Sequence, residues 1–372
     1  MRELLPVLEA WLPEGTGIAR GVVIRTYGSA PRREGAVMLL AADGRIEGSV
    51  SGGCVEGATA ERMAEARQTG LQRVVRFGIS DAEAHDVGLA CGGTIDVLVQ
   101  PSIPPAVLDA ARATAADRHS DRVVVSVLPA GSPEPAAGAS RLGPAGPMEP
   151  TLIVHRDGRL EGTLGDASAD ADLVKACLVG LSRGTSGAIE LAGRQLFLEA
   201  FPARPRLVVV GAVAVASALV RLARDLGYDT VVIDGRTAFA TRERFPEVGR
   251  LIVGWPDEAA DEIELGPADA LAVLSHDPKF DDPAIFEGLS RGCRYVGAIG
   301  SRKTQRQRRE RLLGRGLSDA QLDELRGPIG LDLGGREPAE TALAIMAEIV
   351  AARYDASARP MRDLAAERDD RG

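Results

Sequence analysis

Two cysteines of the N-terminal half lie in glycine-rich runs, SGGCVEG around Cys54 and GLACGGTIDVLVQP around Cys91. Glycine lets a ligand approach the backbone closely, and successive N–H groups in such runs can form an anion-binding nest. Cys54 also lies at the start of a predicted helix, where the helix dipole favours the thiolate. We interpret both cysteines as candidate sulfur-handling thiols, with two buried cysteines packed where only small residues fit as the alternative. The backbone groups expected to bind an anion belong to Ser51, Gly52, Gly53, Gly92 and Gly93.

Two other groups of the N-terminal half suit the handling of a proton or an anion. His85 precedes the Cys91 run closely enough to donate a proton or stabilise a thiolate if the loop folds back, with a lone surface histidine as the alternative. Arg32 and Arg33 follow a glycine turn in the run GSAPRREG, and arginine forks bind phosphate well. We expect a phosphate contact there, with an ordinary exposed turn as the alternative.

The C-terminal half begins with a strand, a glycine turn at Gly211 and a helix, the arrangement in which a dinucleotide places its pyrophosphate. Asp234 follows at about the spacing of a ribose-binding acid. The glycine fingerprint is incomplete, because Val213 stands where a second glycine is required and its branched side chain keeps a pyrophosphate from the backbone. The sequence therefore argues against NAD(P) binding in the usual manner.

Two later strand ends carry further candidate residues, because ligands of doubly wound sheets bind beyond the carboxyl ends of the strands. One of these strand ends contains His276. At the other, in the run YVGAIGSRKT, a glycine turn leads into a helix N-terminus that suits a phosphate, with an ordinary capped helix as the alternative. The candidate cofactor-binding residues of that run are Gly300, Ser301, Arg302 and Lys303.

An internal repeat organises the first half of the chain. The segment around Asp43-Gly44 matches the segment around Asp157-Gly158, and the same spacing separates Gly70 from Gly184. Each copy is predicted to contain a strand, an Asp-Gly hairpin, a second strand, a helix ended by glycine and a further strand. Only the first copy has the SGGC run after its second strand, so we expect that copy to carry the specialised end.

Two folded domains are predicted, both of the α/β class. Residues 1–200 form a mixed α/β domain built from two related repeats, at about 20–100 and 120–200, with a Pro/Gly/Ala-rich connection at 130–150. From about 205 to 355 strands and helices alternate, which predicts a Rossmann-like domain with a doubly wound parallel sheet.

The composition excludes several classes of function. The chain has 372 residues, 45% of them hydrophobic, which is ample for two cores. A formal net charge of −9 disfavours sequence-independent nucleic-acid binding. The first residues lack the features of a signal peptide and no segment is apolar enough to span a membrane, so we expect a cytoplasmic protein. The four cysteines form no CxxC pair. Residues 356–372 are highly charged, which predicts a frayed tail.

Several of these runs, taken in their order along the chain, resemble the XdhC/CoxI family of xanthine and carbon monoxide dehydrogenase accessory proteins. They are GSAPRREG, SGGCVEG, GLACGGTIDVLVQP, YVGAIGSRKT and GPIGLDLGGREPAETALAIMAEIVAAR, together with the Rossmann-like region from residue 207. The resemblance covers most of the chain, and the predicted layout of two domains agrees with it.

The resemblance implies a chaperone that binds molybdenum cofactor (molybdopterin), protects it while a cysteine desulfurase supplies a terminal sulfur, and delivers it to the apo-subunit of a molybdenum hydroxylase. It implies Cys54 and Cys91 as the functional thiols, which as soft ligands also suit a contact with molybdenum. Val213 and Ala214 depart from the glycine and histidine that are common in relatives, which suggests a divergent subgroup.

Two other functions stay open on the residues alone. An NAD(P)-dependent oxidoreductase fits the fold of the second domain but is opposed by Val213. A sulfur-carrier or thiol-redox protein predicts a persulfide on Cys54 or Cys91. We expect an accessory protein in preference to an enzyme with its own turnover. We also expect a homodimer, because exposed sheet edges and a domain cleft are surfaces that commonly pair.

Overall fold

The computed structural model describes residues 1–14, 17–28, 30–78, 93–129, 131 and 141–363. Contacts within the chain divide it into two units, Met1–Ala203 and Arg204–Gly372. His85, Cys91 and Gly92 lie outside the described residues. So do residues 132–140 of the expected connection and residues 364–372 of the expected tail. No helix within the described part of the chain is apolar over a length that would cross a membrane.

The first copy of the repeat forms most of one antiparallel sheet with a helix against it. Its elements are helix α1 (Leu5–Trp11), strands β1 (Ala19–Tyr27), β2 (Val37–Leu40) and β3 (Ile46–Gly48), helix α2 (Glu56–Thr69) and strands β4 (Gln72–Gly78) and β5 (Thr94–Gln100). The Asp-Gly turn joins β2 to β3, where Gly44 has a φ of +91° and Asp43 accepts a hydrogen bond from the Arg45 amide. Gly70 ends α2 with a φ of +72°, the left-handed conformation that glycine adopts without strain.

The second copy repeats this order of elements. After helix α3 (Pro105–Ala116) come strands β6 (Arg122–Val127), β7 (Arg141–Gly146), β8 (Leu152–His155) and β9 (Leu160–Glu161), helix α4 (Ala167–Arg183) and strands β10 (Gly187–Leu191) and β11 (Arg194–Phe201). The strand order is β3-β2-β1-β5-β4-β7 in the first sheet and β10-β11-β6-β8-β9 in the second. Read from β9, the five strands of the second sheet have the order of the first five strands of the first sheet, which confirms that two related repeats build this unit.

The two copies differ in two connections. Ala192 and Gly193 alone join β10 to β11, whereas residues 79–93 join the matching strands β4 and β5. Within the segment expected to be a connection, β7 pairs antiparallel with β4 and extends the edge of the first sheet. The long 79–93 connection is therefore particular to the first copy, as the SGGC run is.

Buried side chains on both faces of β1 hold the first unit together. Val22 and Ile24 pack into a core that also contains Phe197 of the second sheet, whereas Val23 packs into the core beneath α2. Arg20 is fully buried and donates hydrogen bonds to Gln100 and to Glu199 of the second sheet. The two copies are therefore joined by a buried ion pair as well as by apolar contacts.

The second unit is a parallel sheet with helices on both faces. Its elements are β12 (Arg206–Val210), α5 (Ala214–Asp225), β13 (Asp229–Ile233), β14 (Arg250–Ile252), α6 (Pro256–Glu262), β15 (Asp269–Val273), α7 (Pro278–Ser290), β16 (Tyr295–Ala298), α8 (Arg302–Gly314), α9 (Asp319–Asp323), β17 (Leu325–Arg326) and α10 (Pro338–Arg353). The strand order is β14-β13-β12-β15-β16-β17. α5 and α10 pack on one face, and α6, α7 and α8 pack on the other. This confirms the predicted Rossmann-like, doubly wound domain.

Candidate functional site

Loops that carry most of the candidate residues of the first copy leave the same end of the first sheet. Tyr27 at the end of β1 pairs with Thr94 at the start of β5, and Thr94 pairs with Gly78 at the end of β4. β2 begins at this end with Val37, and β3 ends there with Gly48. Residues 28–36 and 49–55 connect elements that begin or end here, and residues 79–93 follow Gly78 and precede Thr94 at this end. We call the described loops 28–36 (without residue 29) and 49–55 the cysteine site.

The 49–55 loop is wrapped around the carboxylate of Glu56, the first residue of α2. The Glu56 oxygens accept hydrogen bonds from the hydroxyls of Ser49 and Ser51, at 2.6 and 2.5 Å. They also accept from the backbone N–H groups of Ser51, Gly52, Gly53 and Val55, at 2.8–3.2 Å. The N–H groups expected to bind an external anion thus already bind an anion of the chain itself. Glu56 was not predicted as a site residue, although a glutamate in the first helical turn after SGGCV indicates such a contact.

These hydrogen bonds keep Glu56 ionised. Burial raises the pKa of Glu56, but the hydrogen bonds from Ser49, Ser51 and the backbone outweigh burial and lower the pKa to about 2, from an ordinary value of 4.5. In the second copy Asp170 holds the equivalent position and accepts from the Leu164 amide and the Thr163 hydroxyl. A carboxylate that closes the loop after the second strand is therefore a shared feature of the repeat, with more donors in the first copy.

Among the described cysteines Cys54 and Cys293 are partly exposed, whereas Cys177 is buried. Cys54 lies two residues before α2, and its Sγ contacts the Ser51 carbonyl oxygen at 3.8 Å. Burial raises the pKa of both Cys177 and Cys293 to about 12, so both stay protonated at neutral pH. A thiol that can reach a ligand is thus found in the first copy and at its specialised end.

The expected phosphate-binding arginines lie at the same end of the sheet. Arg32 and Arg33 are both exposed in the loop between β1 and β2. Glu34 anchors this loop, because its carboxylate accepts from the amide and the hydroxyl of Thr26, at 3.0 and 2.6 Å. Gly93, immediately before β5, is buried at this end. The structure therefore brings two guanidinium groups and the Cys54 loop to one edge of the sheet.

A buried cluster of charged side chains stabilises this end of the first sheet. Asp96 is fully buried in β5 and accepts two hydrogen bonds from the Arg76 guanidinium, at 2.6 and 2.7 Å. Arg76 also donates to the Tyr27 hydroxyl and lies over the Tyr27 ring. Burial and the charge of Asp96 raise the pKa of Tyr27. The cluster fixes the ends of β1, β4 and β5 relative to one another. In the sequence, this cluster is indicated by an aspartate within a mostly apolar strand.

In the second unit the candidate residues lie at the carboxyl edge of the parallel sheet. Gly211 has a φ of +108°, and a Cβ at this position would lie 2.8 Å from the Ser275 amide nitrogen, so only glycine fits. Asp234 is buried and its Oδ2 accepts from the Ala212 amide at 2.7 Å. Asp234 also accepts from the amide and the guanidinium of Arg236. Its carboxylate is thus already bound by groups of the chain.

Few backbone N–H groups of the glycine turn remain available to bind a pyrophosphate. The Ala212 amide binds Asp234, and the Val213 amide binds the Gly211 carbonyl oxygen. Burial raises the pKa of Asp234, but the Arg236 and Ala212 hydrogen bonds lower it below its ordinary value overall. These contacts agree with the expectation, drawn from Val213, that a dinucleotide does not bind here in the usual manner.

His276 lies three residues after the end of β15 and has a strained backbone. It is exposed and has a φ of +65°, which is uncommon for a residue other than glycine. Beside it the Ser275 hydroxyl donates to Asp281 at 2.6 Å. Asp281 also accepts from Arg308, which is buried although it belongs to a basic helical run. Burial raises the pKa of Asp281 despite these hydrogen bonds.

The YVGAIGSRKT turn forms the expected helix start. Ser301 caps α8 by accepting a hydrogen bond from the Thr304 amide, and Gly300 precedes it with a φ of +131°. Arg302 and Lys303 follow on the exposed surface. The glycine-rich loop after β17 reaches this turn, because Ile329 donates its amide to the Ala298 carbonyl oxygen. No set of three His, Cys, Asp or Glu side chains among the described residues is placed to hold a metal ion.

Comparison with protein families gives two matches along this chain. The model described as the XdhC Rossmann domain matches residues 207–349, which lie in the second unit. The model described as the XdhC and CoxI family matches residues 11–78, which include the cysteine site.

Comparison with individual proteins gives relatives over nearly the whole length. A probable subunit of xanthine dehydrogenase from Bacillus subtilis (strain 168) is 26% identical over 363 residues, covering 93% of this chain and 96% of that protein. The molybdenum cofactor insertion chaperone PaoD of Escherichia coli (strain K12) is 26% identical over 342 residues, covering 92% and 85%. A crystal structure described as a xanthine dehydrogenase from Bacillus halodurans has the same fold, with a TM-score of 0.67, 23% identity and coverage of 96% and 98%.

Proposed function

The chain belongs to the XdhC and CoxI family, and on this basis we propose that it binds molybdenum cofactor as cargo and assists its insertion into a molybdenum hydroxylase. The observation that carries the proposal is the cysteine site, where the accessible thiol Cys54 and two exposed arginines lie at one end of the first sheet. The likeness to PaoD, a molybdenum cofactor insertion chaperone, supports the same role.

The residues of the cysteine site suit the two ends of this cargo. A thiolate is a soft ligand, so Cys54 is the group that we assign to the molybdenum end. Arg32 and Arg33 are forked donors that fit a phosphate, so we assign them to the phosphate end. The glycine amides do not fit a phosphate, because the Glu56 carboxylate already occupies their donors.

Glu56 acts on the thiol through the loop and does not need to touch the cargo. The Ser51 hydroxyl donates to Glu56 and accepts from the amides of Cys54 and Val55, both at 3.0 Å. Fixing Ser51 therefore fixes the backbone at Cys54. A thiol held in one position loses less conformational freedom when the cargo binds, which favours binding.

We propose that the terminal sulfur of the cargo comes from a cysteine desulfurase while the cargo is held, and that the apo-subunit of a molybdenum hydroxylase receives it. Cys91 and His85 belong to the 79–93 connection, whose neighbours Gly78 and Thr94 are paired at the end of the first sheet that also carries the cysteine site. On that ground we keep both residues as candidates for sulfur handling beside Cys54.

Retention of molybdenum after gel filtration tests this proposal. Purified protein is mixed with molybdenum cofactor, and the wild type is compared with Cys54→Ala, Cys91→Ala and Cys177→Ala. Cys177 is the matched control, because its thiol is buried in the second copy. We expect the wild type and Cys177→Ala to retain molybdenum and Cys54→Ala to lose it. Equal retention by all four proteins would contradict the assigned thiols, and no retention by the wild type would contradict the proposal itself.

We also propose a homodimer that forms through an exposed sheet edge. β3 lies at one edge of the first sheet, all its residues are exposed, and Ile46 is an exposed large hydrophobic residue there. Light scattering is expected to give twice the mass of the chain, and Ile46→Lys is expected to give the mass of one chain. A wild type that scatters as a monomer would refute the proposal.

A further inference from the structure

Aromatic residues that follow two different strands meet at the carboxyl edge of the second sheet. Trp255 follows β14, and Phe280 lies in the first turn of α7, after β15. Their rings are stacked, with centroids 4.5 Å apart and an angle of 12° between the planes. Trp255 is 45% exposed, so one large aromatic surface of the pair is open to a ligand. We call this pair the aromatic platform.

Two guanidinium groups lie around a third aromatic ring beyond β13. The carbon Cζ of Arg236 lies 4.3 Å from the centre of the Phe239 ring, and Cζ of Arg244 lies 5.0 Å from it. Phe239 is 40% exposed. Arg236 uses its Nε and Nη2 to bind Asp234, whereas its Nη1 has no hydrogen-bond partner among the described residues. Arg244 is exposed and donates from Nη1 to the Phe239 carbonyl oxygen at 3.4 Å, which leaves its other guanidinium nitrogens on the same surface as Nη1 of Arg236.

Close contact at Gly235 joins the platform to the arginines. A Cβ on Gly235 would lie 2.7 Å from Phe280, which means that the Phe280 ring packs directly on the Gly235 backbone. Gly235 immediately precedes Arg236. The charge of Asp277, near the start of α7, also acts on Arg236. The ends of β13, β14 and β15 thus converge on one surface that combines an exposed aromatic face with guanidinium donors.

This combination has a recognisable chemistry. Planar heterocycles stack on tryptophan and phenylalanine, and such stacking tolerates different rings because each has a π-face. Arginine binds phosphate through parallel N–H donors. In doubly wound sheets, ligands bind beyond the carboxyl ends of the strands. An apolar partner surface would not explain the free guanidinium donor of Arg236 beside the platform.

We propose that this edge is a second ligand site, which binds a planar heterocycle carrying a phosphate, with the ring on Trp255 and the phosphate at Arg236 and Arg244. A nucleotide and a phosphorylated pterin share this chemistry. The site lies in the second unit, and none of its residues is among those assigned to the cargo in the first unit. Because the amides of Ala212 and Val213 are already used within the chain, the site holds a mononucleotide about as well as a dinucleotide.

Tryptophan fluorescence measures this binding directly. The chain has two tryptophans, and Trp11 is buried in the first unit, so full-length Trp11→Phe reports on Trp255 alone. The probes are AMP, CMP, NAD and neopterin monophosphate, with adenosine, neopterin and inorganic phosphate as their partial counterparts. Comparison of AMP and CMP with neopterin monophosphate distinguishes a nucleotide ligand from a pterin ligand. Calorimetry on the wild type repeats each titration without relying on the Trp11→Phe variant.

We expect saturable quenching by at least one phosphorylated probe, with its unphosphorylated counterpart binding ~10-fold more weakly. Arg244→Ala is expected to lower the affinity for that probe by ~5-fold or more, because one phosphate contact is lost. Arg221→Ala, at an arginine of α5 outside the platform, is the matched control and should leave the affinity unchanged.

Three outcomes would overturn the inference. The first is quenching by no phosphorylated probe at millimolar concentration in either measurement. The second is an affinity that Arg244→Ala does not alter. The third is NAD binding more than ~10-fold tighter than AMP, which would indicate an ordinary dinucleotide site at the glycine turn.

Discussion

Glu56 turns its carboxylate back over Ser51 and accepts hydrogen bonds from both the amide and the hydroxyl of that residue, at 2.9 and 2.5 Å. Ser51 is 1% exposed, so this contact is shielded from water. The loop that carries Cys54 is consequently closed on itself and is not an open nest. A rigid loop with one accessible thiol is the feature that distinguishes the first copy of the repeat from the second.

Replacing Glu56 with Gln is expected to loosen this loop. The glutamine side chain keeps one acceptor oxygen but places an NH₂ group against backbone donors, so hydrogen bonds to a charged acceptor are lost. We expect the free energy of unfolding of the first unit to fall by about 2 kcal/mol at pH 7. This figure is reduced for screening by water, because Glu56 is only partly buried. Urea denaturation followed by circular dichroism measures this change. Asp170→Asn in the second copy is the control. Asp170 accepts fewer hydrogen bonds than Glu56, so this change should lower the free energy of unfolding by less.

The same contact predicts a pH dependence. The pKa of Glu56 lies at about 2 in the folded chain, below its ordinary value of 4.5, so its stabilising effect is complete above about pH 4.5 and is lost as the pH falls towards 2. The difference in stability between the wild type and Glu56→Gln should therefore shrink over that range. A difference that stayed constant down to pH 2.5 would show that the carboxylate is not the cause.

Gly211→Ala tests the close approach of β12 and β15. The added Cβ would lie 2.8 Å from the Ser275 amide nitrogen, and the φ of +108° is itself unfavourable for alanine. We expect a loss of about 3 kcal/mol or more in the stability of the second unit. Gly227→Ala is the control, because Gly227 also has a positive φ but its Cβ would meet nothing within 4 Å. It should cost about 1 kcal/mol, and equal losses in urea denaturation would refute the steric argument.

Arg308→Ala tests the buried ion pair next to His276. Arg308 and Asp281 each have side chains that are 2% exposed, so removal of the cation leaves an unpaired buried carboxylate. We expect a loss of about 3–5 kcal/mol in the stability of the second unit. Arg306 is exposed on the same helix, and Arg306→Ala should change stability by no more than ~0.5 kcal/mol. Similar small effects of both variants on thermal unfolding would mean that the pair is not buried in solution.

Features that depend on local spacing were predictable from the sequence. The internal repeat was visible because Asp-Gly turns and helix-ending glycines recur at one spacing, and each has a backbone reason to be there. The parallel sheet of the second unit was predictable because its strands are short apolar runs between helical segments. Ser301 was predictable as a helix cap for the same local reason.

Features that depend on contacts across the chain were not predictable from spacing. Glycine amides suggest a nest, but only the structure shows that Glu56 fills it. Arg308 reads as one of several charges on a helix, and its burial depends on Asp281 from another helix. Trp255 and Phe280 follow different strands, so their stacking depends on strand order in the sheet.

Native mass spectrometry of the wild-type chain after exposure to molybdenum cofactor tests the central claim most directly. We expect a species heavier than the free chain by the mass of one cofactor per chain, and we expect that added mass to disappear when apo-hydroxylase is supplied. A chain that shows only its own mass after exposure to the cofactor would contradict the proposal that it carries this cargo.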